Sequence, residues 1–83
     1  MSNTTNVSVV STSWTSVAVA TAGFLTNESG ETVMYNENSS QPAANVVGHT
    51  LYPADFVQFT LLAGQELWVR SKNGTGEVTV TLD

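Results

Sequence analysis

The chain has no cysteine and one histidine among its 83 residues, so a disulfide is excluded and a structural zinc site lacks ligands. Positive charge is nearly absent. Arg70 and Lys72 stand against seven acidic residues, and the net charge of −5 argues against nucleic acid or anionic membrane as a partner. Long apolar runs are missing too: the most apolar window, 17–25, is interrupted by Thr21 and Gly23 and is too short to span a bilayer. Residues 1–6 carry neither a basic stretch nor a leucine-rich continuation, so no secretory signal is expected. No segment repeats apolar residues at i, i+3, i+4 and i+7 between helical caps, which removes the signal for a helix.

What is present is hydroxyl and amide. Ser, Thr and Asn make up about a third of the chain, while charged residues make up 11%. Neutral polar groups cost less to desolvate than charges, so such a surface suits packing against another protein. A chain of this length forms one domain that buries only about two thirds of the surface its unfolded form exposes. Small domains without disulfide or metal commonly gain stability from copies of themselves or from a partner. Oligomerisation is the expectation from size alone.

Valine and threonine dominate wherever the chain is regular, and Gly, Asn and Pro punctuate it. The pattern predicts an all-β fold, a small antiparallel β-sandwich or jelly-roll-like barrel of seven or eight short strands. Residues 1–6 lack apolar content and are expected to be a flexible arm, leaving 7–83 as the domain. A strand begins at Val7, and a second run, 14–21, sets Thr15, Val17, Val19 and Thr21 on one face and Trp14, Ser16, Ala18 and Ala20 on the other. Gly23 is expected to break or bulge the ladder. Asn27-Glu28-Ser29-Gly30 is a turn from which 31–36 returns as the second arm of a hairpin. A loop containing Pro42 follows, then a short strand within 46–52. The last third, 56–82, reads as three consecutive strands joined by hairpins at Ala63-Gly64-Gln65 and Asn73-Gly74-Thr75-Gly76. In it, Val57, Phe59, Leu61, Leu67, Val69, Val78, Val80 and Leu82 form the expected core face. Phe56, Gln58, Thr60, Glu66, Trp68, Arg70, Glu77, Thr79 and Thr81 face away.

The candidate interface residues are Trp14, Trp68 and Arg70. An outward tryptophan beside a guanidinium can anchor a protein interface or stack on a ligand, and equally can be covered by the loop 37–45. For Trp14 the expectation is core or subunit packing. His49 stands without a second histidine, a cysteine or spaced carboxylates, so no metal is expected, and no cofactor. Asp55 and Glu66 form no glycosidase pair on sequence grounds, and there is no Gly-x-Ser-x-Gly turn or phosphate loop. Several Asn-x-Ser/Thr triplets occur, for example at Asn27 and Asn73, and read as chance in so polar a chain. No enzymatic activity is expected.

Four stretches together resemble small virion structural proteins of tailed bacteriophages. They are Glu31-Thr32-Val33-Met34-Tyr35-Asn36, Gly48-His49-Thr50-Leu51, Gly64-Gln65-Glu66-Leu67-Trp68-Val69-Arg70-Ser71 and the closing Gly76-x-Val78-x-Val80, across 12–82. The resemblance implies a symmetric β-rich homo-oligomer, often a trimer, that decorates a capsid or fits a tail or fibre. It implies no catalysis and a virion location after synthesis in the host cytoplasm. No functional residue carries over from the family. The rival expectation, from another class, is a small carbohydrate-binding module with Trp68 as a stacking platform.

Overall fold

Runs of β-branched and aromatic residues between turn-forming ones become eight strands in a computed structural model, which describes residues 3–43, 46 and 48–82. They are β1 (Asn3–Val10), β2 (Thr15–Val19), β3 (Ala22–Asn27), β4 (Val33–Asn38), β5 (His49–Leu51), β6 (Phe56–Thr60), β7 (Glu66–Ser71) and β8 (Thr75–Leu82). All pairings are antiparallel, and no helix occurs among the described residues. One sheet runs β1-β8-β3-β6 and the other β2-β7-β4-β5. Two four-stranded sheets in these orders, packed together, make a β-sandwich with jelly-roll strand order.

The period of two decides which side chains meet between the sheets. Leu25 pairs with Val80 and Val57 across the first sheet, and Val33 pairs with Leu51 across the second. Leu25, Val80, Val33 and Leu51 with Val9, Leu67, Val69, Val78, Phe59 and Leu61 form a single buried cluster, and half-buried Val57 packs against it. Each valine or leucine so buried contributes about 1.5–3 kcal/mol. The inner and outer sets expected for β6, β7 and β8 are those observed.

The expected hairpins are not formed. β6 pairs with β3, β7 with β2 and β4, and β8 with β1 and β3, so each joint of the last third crosses from one sheet to the other. The turn after Asn27 likewise carries the chain between sheets, and only β4 and β5 are both consecutive and paired. Alternation fixes which face of a strand is buried, but turn residues serve a crossing as well as a hairpin. Gly74, at φ 64°, turns the chain in either case.

Three further expectations are corrected. Residues 3–6 of the expected flexible arm lie in β1, pairing with 79–82 of β8; backbone pairing and threonine's fit to a pleated sheet hold them without apolar content. Residues 1 and 2 lie outside the described residues. In β2 a bulge between Ser16 and Ala18 shifts the alternation, so Ala18 turns inward opposite Leu67 and Val19 outward opposite Glu66. Gly23 does not break the ladder. It stays in β3 between Phe59 and Leu82, where a Cβ would collide with the backbone carbonyl of Thr81.

A polar group sits in the core as well. Asn27 is fully buried, and its amide donates to the carbonyls of Glu31 (2.7 Å) and Leu51 (3.1 Å). Its oxygen accepts from the backbone N–H and hydroxyl of Ser29. Its backbone binds Asp55 and Ala54, so every polar group of the residue is satisfied.

Candidate functional site

On β7 the side chains Glu66, Trp68 and Arg70 alternate with buried Leu67, Val69 and Ser71, which places the first three on the outer face of the second sheet. Pairing sets Ser16 and Asn36 beside Trp68, and Met34 beside Arg70. Trp14, just ahead of β2, lies over this face. Its indole N–H donates to the Ala43 carbonyl at 2.9 Å, and the Gln41 side-chain amide donates to the Trp14 carbonyl at 2.8 Å. Pro42, between them, is buried. The guanidinium carbon of Arg70 lies 5.3 Å from the Trp14 ring centroid, and its Nη1 donates to the Ser11 carbonyl at 3.1 Å. Gly48 completes the enclosure, because a Cβ there would meet the Trp14 ring at 2.7 Å and the Tyr35 carbonyl at 2.6 Å.

Trp14 is therefore 2% exposed but outside the main core cluster, held under a strap formed by residues 41–43. The strap closes a second, smaller core on the outside of the sheet. A guanidinium over a desolvated indole contributes up to about 2 kcal/mol, which offsets part of the cost of the Arg70 Nε, buried without a hydrogen-bond partner among the described residues.

Trp68 is half-buried on the same face, its N–H donating to the Asn38 carbonyl at 3.2 Å. Beside it the Ser16 hydroxyl donates to the Glu66 carboxylate at 2.7 Å. Of the three candidate residues, Trp14 and Arg70 are brought together, Trp14 bonding the strap and Arg70 lying over its ring. Trp68 keeps part of its ring at the surface.

The ionisable groups are spread out. Asp55 caps its neighbour's N–H in Phe56, and Glu66 is engaged by Ser16. His49 lies against Tyr35 with ring centroids 5.2 Å apart. Burial, and then the carboxylate of Glu37, push the Tyr35 phenol above its ordinary value. Among the described residues there is no group of three His, Asp or Glu side chains placed to hold a metal, and no pocket.

The outer face of the first sheet has another character. Register places Thr4, Thr81, Phe24 and Gln58 in one row, and Asn6, Thr79, Thr26 and Phe56 in the next. Phe24 and Phe56 are 37% and 63% exposed and meet edge to face, centroids 6.3 Å apart. Thr4 and Thr81 share a hydrogen bond, and the Thr79 hydroxyl donates to Asn6. Both rows are uncharged; Glu77 stands in the adjacent row opposite Ser8, and Asp55 borders the second row, its carboxylate accepting from the Phe56 N–H. Alternation alone put Phe56 outside; its meeting with Phe24 required the β3–β6 register.

Compared with protein-family models, with curated proteins and with solved structures, the chain has no match in any of the three.

Proposed function

We propose that this chain is a non-enzymatic structural protein of a phage virion, which self-associates and attaches to a larger capsid or tail protein. The observation that carries the reading is the outer face of the β1-β8-β3-β6 sheet: two neutral rows of threonine, asparagine and glutamine around an exposed phenylalanine pair, on a chain of net charge −5. An acidic protein repels other acidic surfaces, copies of itself included, and a neutral apolar patch is where that repulsion is least and burial gains most. The jelly-roll order is common among viral shell proteins, which supports the reading as a fold-level analogy. Attachment then works through apolar burial and shape on a neutral patch of the larger protein.

Quantitative mass spectrometry of purified phage particles encoding the chain tests this. Peptides in a simple ratio to the major shell or tail protein are the expected result. Absence from washed particles overturns it.

A further inference from the structure

A sheet with free edges normally carries features that stop it from pairing with another chain: short length, bulges, proline or charge. Two of the four edges here carry one within the strand, and a third, the five-residue β6, is flanked by them at its start. β5 is three residues long. β2 contains the bulge between Ser16 and Ala18 and is followed directly by Ala20, a non-glycine residue with φ 47°. β6 is preceded by Pro53, by Ala54 at φ 65° and by Asp55. The fourth edge, β1, has eight residues in unbroken register with β8, and holds no charge, proline, glycine or bulge.

The core is also open along β1. Thr5 and Val7 lie opposite Val80 and Val78, which are buried, so their side chains point inward. Yet Thr5 is exposed and Val7 only half-buried. One more strand beside β1 would cover both.

We infer that β1 is the edge through which two copies of this chain join, pairing antiparallel across a two-fold axis at Val7 to make one continuous eight-stranded sheet. The inference rests on the self-association proposed above and gives it a two-fold contact instead of the trimer implied by the family resemblance. In this register Val7 faces Val7 of the second copy, Thr5 faces Val9, Asn6 faces Ser8 and Thr4 faces Val10. Inner residues meet inner and outer meet outer, as a shared pleat requires. A second copy suits the edge because the strand carries no charge, so two copies of a chain of net charge −5 meet there without setting one charge against another.

Size-exclusion chromatography with light scattering on the whole chain tests it. The wild type is expected at twice the protomer mass of 8.8 kDa. Asn6→Lys with Ser8→Lys sets like charges opposite each other across the axis and is expected to weaken the dimer by about tenfold or more. Asn6→Glu with Ser8→Lys sets opposite charges there and is expected to keep the dimer. Circular dichroism on each variant verifies that the protomer stays folded. A monomeric wild type at micromolar concentration overturns both this inference and the self-association beneath it. A wild-type oligomer that both variants leave unchanged overturns the β1 contact alone.

Discussion

The side-chain amide of Asn27 donates to the Leu51 carbonyl at 3.1 Å from a fully buried position, tying the end of β3 in one sheet to the end of β5 in the other. With the Glu31 carbonyl and Ser29 also on this side chain, its removal strands several polar groups in the interior. Asn27→Ala is expected to lower the unfolding free energy by about 2–4 kcal/mol, read by urea denaturation. A loss under about 1 kcal/mol would mean that water replaces the amide freely.

Two glycines give opposite expectations. At Gly23 a Cβ meets the Thr81 backbone carbonyl, which cannot move without parting β3 from β8, whereas at Gly30 nothing lies within 4 Å. Gly23→Ala should destabilise by about 3 kcal/mol or more. Gly30→Ala should stay within about half a kcal/mol of the wild type. Equal melting temperatures for the two variants would contradict the close β3–β8 approach.

Trp14 and Trp68 differ in what they hold. Trp14→Phe removes the hydrogen bond that fastens the strap at Ala43, and should cost about 1–2 kcal/mol while speeding proteolysis within 39–43. Trp68→Ala should cost less, since its indole is half-buried and its bond to Asn38 is at the surface. A glycan array separates the rival assignment. No sugar signal is expected, and one that disappears in Trp68→Ala would favour a carbohydrate-binding module.

Tyr35 sets an alkaline limit. Its phenol is held above the unfolded value of 10.0, so the neutral form is favoured by folding. That contribution is complete below about pH 10 and is lost as the pH rises through the folded value. Tyr35→Phe should flatten the alkaline limb of a stability-against-pH curve. An unchanged limb would mean that other groups govern it.

The phenylalanine pair is where attachment is expected. Phe24→Thr with Phe56→Ser removes exposed apolar surface without touching the buried cluster, so melting should shift little. Recovery of the variant on particles should fall about tenfold or more if each ring loses about 1–2 kcal/mol of contact. Unaltered occupancy would move the docking face elsewhere.

Much of the fold was legible in the sequence because burial has a local signature. The alternation in 56–61, 66–71 and 77–82 marked strands and named their inner residues correctly. Pairing has no such signature. Val78 pairs with Val7 and Asn27, both far away in the chain, and nothing at the 63–65 or 73–76 turns distinguishes a sheet crossing from a hairpin. The same holds for the sites. Arg70 was legible as an outward guanidinium near tryptophan, but that its guanidinium lies over Trp14 depends on the strap and on the second sheet's order. Asn27 read as a turn residue, since sequence shows the amide but not the two sheets that converge on it.

Of the eight strands, β1 is the first to leave the ribosome and β8 the last, yet they are hydrogen-bonded neighbours. At ordinary elongation speeds the wait is on the order of ten seconds. During that interval the nascent β1 offers an uncharged backbone on both of its sides. Translation on one message brings many such segments close together, so their own siblings are the first strands they meet. Strand exchange between half-made chains is thus the characteristic hazard of this topology, and slowed elongation or a trapped truncated product should increase insoluble material before it affects the finished protein.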